Sequence, residues 1–284
     1  VMGAYTERLA NEKVKWETSE QYNVGLDARF LRQRLSLTFD TYIKNTKDWL
    51  VQAPVLATAG TQGPVINGGD VKNKGVELGL SWNDQIGKDF VYSVGANFAY
   101  NHNEVGNIPT LDGIIHGATN QIYQNAEEFY RAENGHAIGY FWGYKTAGIF
   151  QNQAQVNAYV NSKGEKMQPN AEPGDVIFVD YNGDGVINDA DKTNIGKGDP
   201  DWTFGLNFGA SWKLLDFSML WAGSFGNKIF DATRRVDLRY VNLPEEFMDR
   251  WHGEGTSNTM PRFAWSTAND NNKVSDLYIK NGSY

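Results

Sequence analysis

The sequence contains no cysteine, which excludes a thiol nucleophile, a cysteine-bound metal and a disulfide framework. It also has no run of about eighteen apolar residues and does not open on a basic segment followed by an apolar one, so it predicts neither a transmembrane helix nor a signal peptide. Its net charge is -8, and its lysines and arginines are not clustered. The positively charged surface of a nucleic-acid-binding protein is therefore missing.

Catalytic motifs are equally scarce. The four histidines do not form an H-E-x-x-H or a comparable zinc spacing, and the chain has neither a G-x-S-x-G elbow nor a Walker A loop. We therefore predict that the chain is not an enzyme. A glycosidase stays open as an alternative, because its two carboxylates meet only in space and leave no spacing to read along the chain.

The abundant residues are aromatic (13%) and glycine (30 residues), a composition that favours β-structure over a helical bundle. Apolar and polar residues alternate with a period of two along six segments, each of roughly the length of a tilted membrane-spanning strand. The segments are residues 23–30, 35–44, 76–83, 90–101, 202–212 and 216–225. They predict an all-β, antiparallel fold made of three hairpins.

The apolar face of these segments is aromatic near the ends and aliphatic or small in the middle, as where Trp202 and Trp212 flank Leu206. Two aromatic girdles at the membrane interfaces explain this distribution, and an opposite face of Ser, Asn and Gly suits a wet lumen. A soluble antiparallel sheet with one buried face would alternate as well. Strands of ten or more residues, however, exceed the usual five or six of globular sheets.

Connections within the hairpins are short, whereas residues 45–73, 103–200 and 226–274 form long loops. Compact soluble domains seldom carry three such loops, but transmembrane barrels combine short periplasmic turns with long extracellular loops. We therefore predict part of an antiparallel transmembrane β-barrel. Six strands are too few to close a wide barrel and unpaired edges are not tolerated in lipid, so we expect the chain to be an incomplete barrel.

Residues 180–191 have the spacing of a calcium-binding loop, with oxygen-bearing side chains at positions 1, 3, 5, 9 and 12 and glycine at position 6. Calcium prefers six to eight oxygen ligands at flexible distances. The predicted ligands are the side chains of Asp180, Asn182, Asp184, Asn188 (directly or through water) and Asp191, and the carbonyl of Val186. The alternative is a turn rich in Asn, Asp and Gly that binds no metal. If calcium binds, we expect it to stiffen a long surface loop.

A short aromatic run supplies the candidates for substrate contact. Tyr140, Trp142 and Tyr144 could stack on sugar rings, although packing of the loop against the barrel rim is the simpler explanation and the one we favour. No other residue stands out as a substrate ligand.

Several segments together resemble the SusC/RagA group of TonB-dependent receptors of the Bacteroidota. Six motifs follow the order found in that family. They are V-K-W-E at 14–17 with Q-Y-N-V-G-L-D at 21–27, T-Y-I-K-N-T at 41–46, N-K-G-V-E-L at 73–78, G-Y-F-W-G-Y at 139–144 with G-I-F at 148–150, P-G-D at 173–175 leading into the calcium-type loop, and I-G at 195–196 followed by Pro200. Residues 276–284 resemble the segment just before the family's last strands.

This resemblance implies that residues 1–284 are part of a receptor barrel, with the plug, the first strands and the last strands lying outside the sequence. It further implies an outer-membrane location and import of large nutrients, oligosaccharides or peptides, powered by the TonB–ExbB–ExbD complex through an N-terminal region. A SusD-like surface lipoprotein is the implied partner. The sequence does not identify the substrate.

A calcium-dependent surface module that binds carbohydrate or mediates adhesion is the main rival. It would share the calcium-type loop and the aromatic residues, but its apolar strand face would be buried against a second layer instead of facing lipid. The location of that face in the structure therefore separates the two interpretations.

Overall fold

The computed structural model describes residues 6–53, 55, 57–122, 126–233, 242–263 and 269–284. The regular structure is mostly extended, with one α-helix, α1 (Gln153–Ala158), and short 3-10 turns at Ala57–Ala59, Asp189–Asp191, Glu245–Asp249 and Asp276–Tyr278. The strands are β1 (Thr18–Phe30), β2 (Leu35–Lys47), β3 (Leu50–Gln52), β4 (Val65–Asn67), β5 (Asp70–Ile86), β6 (Phe90–Gly106), β7 (Ile114–His116), β8 (Tyr130–Glu133), β9 (Tyr140–Gly143), β10 (Thr146–Ile149), β11 (Val176–Phe178), β12 (Thr193–Gly196), β13 (Trp202–Trp212), β14 (Leu215–Phe225), β15 (Lys228–Phe230) and β16 (Ile279–Asn281). The predicted all-β class is confirmed. Within the described ranges, no helix is both long and apolar enough to cross a bilayer.

Six long strands form one antiparallel sheet in the order β1-β2-β5-β6-β13-β14, which we call the wall. These are the six segments predicted from alternation. Their registers run without a shift along the whole length of each pair. Because a shift of one residue would turn every side chain to the opposite face, the continuous register keeps each strand's apolar set on one side.

The apolar rows lie together on one face of the wall. Leu206 on β13, for example, pairs with Ala96 on β6 and with Trp221 on β14. This face is open: Trp221 is 50% exposed, Phe217 54% and Val24 72%. The rows are therefore not pressed between two layers, as the soluble sheet would require. The aromatic residues at the loop end of this face contact one another, with ring centroids of Tyr100 and Trp202 4.6 Å apart.

The opposite face of the wall is polar and closely fitted. Several glycines there lie directly across from a polar side chain that folds over them. At Gly205, a Cβ atom would come within 2.4 Å of the Asn97 side-chain oxygen, and at Gly75 within 2.3 Å of the Tyr42 ring. Glycine at these positions allows the neighbouring strand's polar group to lie flat on the sheet.

The connections differ sharply between the two ends of the wall. At one end the hairpins turn over residues 31–34, 87–89 and 213–214. At the other end lie three long segments, which we call loop A (48–69), loop B (107–201) and loop C (226–284). The predicted separation of short turns from long loops is confirmed.

The buried core lies in the loops. Among the described residues, the large side chains that are fully buried belong to loops B and C, with the addition of Val105 at the loop end of β6. The main cluster contains Tyr144, Ile149, Val176 and Phe178. Short strands organise this region: β12-β9-β8-β7 form a small sheet, and β10 with β11 and β15 with β16 form pairs. The loops therefore have a buried hydrophobic core like that of a soluble domain, whereas the wall has no core of its own among the described residues.

Candidate functional site

Loops B and C interlock through backbone pairing. The Tyr144 N–H donates to the Val274 carbonyl at 2.9 Å, and the Asp276 N–H donates to the Tyr144 carbonyl at 3.0 Å. The Thr146 hydroxyl adds a 2.6 Å hydrogen bond to the Asp276 carboxylate. Residues about 130 positions apart in the chain are thus joined at the loop end of the wall.

A cavity of about 550 Å³ lies at this junction. Thr146 and Gly148 line it from loop B, and Asp249, Asn258 and Lys280 line it from loop C. Its volume is within the range of sites for small ligands, and its walls offer charged and neutral hydrogen-bonding groups. The loop assembly thus contains a recess between its two halves.

The three aromatic residues considered for substrate stacking lie in or beside β9. Tyr140 is fully buried and Tyr144 is 2% exposed, so neither ring face is open to a ligand in this arrangement. Burial and hydrogen bonding to Glu133 raise the pKa of Tyr140, so its hydroxyl stays protonated. Trp142 is half-buried, and the Arg131 guanidinium lies 3.8 Å from the centre of its ring. These contacts are those of packing residues.

Arg131 belongs to a charged cluster that the sequence did not predict. It forms an ion pair with Glu128, and the same carboxylate lies 2.9 Å from His116 Nδ1. His116 Nε2 lies 3.3 Å from Asp112. Partial burial lowers the pKa of His116, but the hydrogen bond and the charge of Glu128, with a smaller contribution from Asp112, outweigh burial and raise it overall. The cluster links His116 of β7 to Arg131 of β8 through the Glu128 carboxylate.

The calcium-type loop is closed by its own hydrogen bonds. The Asp180 carboxylate accepts the N–H groups of Gly183 and Gly185, both at 2.8 Å. Asp191 is fully buried, and its carboxylate accepts the Asn188 N–H at 2.8 Å. The first and last residues of the loop thus turn their acidic groups inward onto the loop backbone.

The middle of this loop continues the same pattern. Asn182 accepts the Asp184 N–H, and Asp184 accepts the Val186 N–H, each at 2.8 Å. The Val186 N–H is the main reason why the pKa of Asp184 is lowered. The Val186 carbonyl accepts the Asn188 side-chain amide at 3.3 Å. All six predicted ligands therefore lie in one compact loop.

The predicted ligands are oxygen-bearing groups of the kind that calcium prefers, but the carboxylates among them do not converge on one point. In the described part of the chain, no three His, Cys, Asp or Glu side chains are close enough to one another to hold a metal ion. Calcium binding would require Asp180, Asp184 and Asp191 to draw together while the oxygens of Asn182 and Val186 turned toward the same point.

A second feature that the sequence did not predict is a buried polar network between the two loops. Asp175, which is fully buried, lies between Arg262 and Asn271 of loop C. Gln168 extends the network through a 2.8 Å hydrogen bond to Asn269. The only signal in the sequence was the P-G-D motif at 173–175, which carried a family resemblance but no role.

The wall and its loops together define a class of protein. An antiparallel sheet with an open apolar face, a polar opposite face, short turns at one end and a folded loop assembly at the other is a segment of a transmembrane β-barrel. A family model described as TonB dependent receptor-like, beta-barrel, matches residues 1–242.

Individual relatives agree with this match. TonB-dependent receptor P3 of Formosa agariphila is 30% identical over 286 residues, which cover 100% of this chain and 28% of the relative. TonB-dependent receptor SusC of Bacteroides thetaiotaomicron is 31% identical over 227 residues, covering 78% of this chain and 20% of the relative. The solved structure of the RagAB peptide transporter superposes with a TM-score of 0.69 at 22% identity, covering 94% of this chain and 28% of that chain.

The chain belongs to the TonB-dependent receptor β-barrel family, and the resemblance to the SusC/RagA group is confirmed. It is therefore part of an outer-membrane barrel, whose short turns face the periplasm and whose long loops face the exterior. The chain spans 28% of the length of the P3 receptor. The relatives described above are named as receptors or transporters.

Proposed function

We propose that the protein containing this barrel segment imports large nutrients across the outer membrane, driven by the TonB–ExbB–ExbD complex, and that it has no catalytic role. The observation that carries the proposal is the sheet with two chemically different faces, lipid-compatible outside and polar inside. Loops B and C would line the external vestibule, where cargo first meets the barrel. The exposure of the apolar rows favours this function over the soluble calcium-dependent adhesion module.

We propose oligosaccharides or peptides as the cargo and a SusD-like lipoprotein as the lid over the vestibule. The fold neighbour described as a peptide transporter supports peptides as cargo, whereas oligosaccharides and the lipoprotein lid follow from the resemblance to the SusC/RagA group. The polar groups among the residues that line the loop cavity suit either cargo, because hydroxyl and amide groups make the same hydrogen bonds to Thr, Asn and charged side chains.

The experiment is uptake by intact cells. A strain lacking the full-length gene, the same strain complemented with it, and a complemented strain treated with a protonophore would be given labelled oligosaccharides or labelled peptides. We expect accumulation of one cargo class only in the complemented, energised cells, together with co-purification of a surface lipoprotein. Equal uptake with and without the gene for both cargo classes contradicts the proposal.

We also propose that calcium stiffens the loop at residues 180–191. The support is the arrangement of six oxygen donors on one loop frame and the burial of Asp191 at its end. Binding to the folded loop alone would stabilise it in proportion to the logarithm of the calcium concentration. The matched variants are Asp184→Ala, at a proposed ligand position, and Asp199→Ala, at an exposed acid beyond the loop.

Metal analysis and limited proteolysis of the full-length protein in detergent test this second proposal. We expect about one calcium ion per chain, slower cleavage within residues 180–191 when calcium is added, and loss of both effects in Asp184→Ala but not in Asp199→Ala. If the chelated and calcium-loaded proteins are cleaved at the same rate and carry no calcium, the loop is a metal-free turn.

A further inference from the structure

Asp175, directly before β11, is together with Asp191 the most deeply buried charge among the described residues of the loop assembly. Its Oδ1 atom accepts the Arg262 Nε–H at 2.7 Å and the Asn271 side-chain amide at 2.9 Å. Its Oδ2 atom accepts the Glu172 N–H at 2.9 Å and a longer bond from Arg262 Nη2 at 3.3 Å. Three of these four donors come from loop C, whereas Asp175 itself belongs to loop B.

The backbone on either side of Asp175 also makes hydrogen bonds to loop C. The Arg262 N–H donates to the Gly174 carbonyl at 2.8 Å, and the Val176 N–H donates to the Asn271 side-chain oxygen at 3.0 Å. Gly174 has a φ of +91°, and a Cβ atom there would lie 2.4 Å from the Trp251 ring. Glycine at position 174 of the P-G-D motif thus allows both the left-handed backbone conformation and the close approach of loop C.

The charges make separation of the loops unfavourable. Asp175 is 0% exposed, so its carboxylate must be compensated within the protein. Arg262 supplies the opposite charge through a fork that engages both carboxylate oxygens, and the hydrogen bond that it donates to Asp175 raises the pKa of Arg262 further. Parting of the two loops would break this paired contact, and loss of Arg262 alone would leave a buried carboxylate without its cation, which is among the more costly events in a protein interior.

We propose that Asp175 and Arg262 form a clamp that makes loops B and C a single body. When a ligand or a lid displaces one loop, the other moves with it, and bending is confined to the points where the loops leave β6, β13 and β14. The cavity at the junction of the loops is lined from both sides, so the clamp also keeps its two walls in a fixed relation.

Hydrogen exchange measured by mass spectrometry on the full-length protein in detergent tests the clamp. The variants are Asp175→Asn, Arg262→Met and the double variant. Glu172→Gln is the matched control, because Glu172 also pairs with Arg262, at 2.7 Å, but its side chain is 63% exposed. We expect each clamp variant to lower protection about tenfold or more in β10, β11 and residues 251–262 and 269–278 together. The control should change protection little, and only near residue 172.

The double variant and a conservative one sharpen the result. Removal of both charges should restore part of the protection that either single substitution loses, because no uncompensated charge is left. Arg262→Lys keeps the charge but loses the fork, so it should give an intermediate loss and serves if Asp175→Asn does not assemble. If Asp175→Asn and Arg262→Lys loosen one loop while the other keeps its full protection, the loops are independent and the clamp does not exist.

Discussion

The assignment of the lipid-facing side of the wall can be tested by replacing one leucine with arginine on each face, at the same depth in the membrane. Leu206 lies in the middle of β13 on the apolar face, next to Ala96 and Trp221. Leu220 lies on β14 directly across from Asn207, on the polar face, and is 75% exposed. We predict that Leu206→Arg strongly destabilises the membrane-inserted protein, whereas Leu220→Arg is nearly neutral.

The expected magnitude follows from the position of Leu206 along its strand. It lies almost midway between Trp202 and Trp212, which mark the two interfaces of the apolar band. Arginine on the lipid face of a barrel costs about 2–4 kcal/mol at the midplane and about 0–1 kcal/mol near the interfaces. For Leu206→Arg we therefore expect a loss of about 3 kcal/mol, or roughly a hundredfold in the folding equilibrium. Arginine at position 220 projects into the wet lumen, so we expect a change of about 1 kcal/mol or less.

Reversible unfolding of the full-length protein in lipid vesicles measures both values, with tryptophan fluorescence and heat-dependent gel mobility as two readouts. Agreement between the readouts checks that unfolding is a single transition. An equal loss for the two variants, or a larger loss for Leu220→Arg, would refute the assignment of the lipid face.

Two further predictions concern the loops. The raised pKa of His116 means that its contacts with Glu128 and Asp112 stabilise the loop fully below about pH 6.5 and less as the pH rises through the raised value. The protection of β7 against hydrogen exchange should therefore fall as the pH rises above about 6.5, and His116→Gln should abolish this dependence. Gly143→Ala should lower the thermal midpoint of the loops more than Gly205→Ala lowers that of the wall. The added methyl at 143 would meet the Val274 carbonyl at 2.6 Å, whereas at 205 it meets the movable Asn97 side chain; equal shifts in the two midpoints would contradict this reasoning.

The wall could be predicted from the sequence because lipid imposes a simple rule. Each spanning residue faces either lipid or lumen, so polarity alternates wherever the strand is inside the membrane. The ends of the strands did not follow from this rule. β5 begins at Asp70, six residues before the predicted start at Val76, and β6 continues to Gly106, five residues beyond Asn101.

The physical reason is that these extensions lie outside the apolar band. At about 3.3 Å per residue, the 17 residues of β5 span about 55 Å, roughly 20 Å more than a typical spanning strand. In water the backbone pairing persists, but neither face needs apolar residues. Polar contacts replace them, as where Asn101 and Asn103 both donate to the Asn73 side-chain oxygen. Alternation in the sequence therefore identifies the part of a strand that lies in lipid and gives no signal for the part that lies outside it.

The interior of the loops was beyond prediction for a different reason. Strands β7 to β12 contain only three or four residues, too few for a period to be recognised. Their stability comes from partners distant in the chain, such as Asp175 and Arg262, which are 87 residues apart. A single sequence identifies such residues as a motif at best, because the partner is fixed by packing and not by spacing. The calcium-type loop could be recognised because all its predicted ligands lie within twelve consecutive residues. Calcium binding by this loop stays a prediction.

The opposite chemistry of wall and loops bears on how this barrel carries specificity. The wall exposes its apolar residues and owes its stability to lipid, so its sequence is constrained by depth in the membrane and carries little information about cargo. Loops B and C bury their apolar residues and hold an internal charge pair, so they can keep their shape while the residues facing the vestibule vary. On the proposed import function, substitutions that alter cargo choice without loss of folding should therefore concentrate on exposed or cavity-lining residues of the loops, such as Asn258 and Lys280, and avoid the proposed clamp.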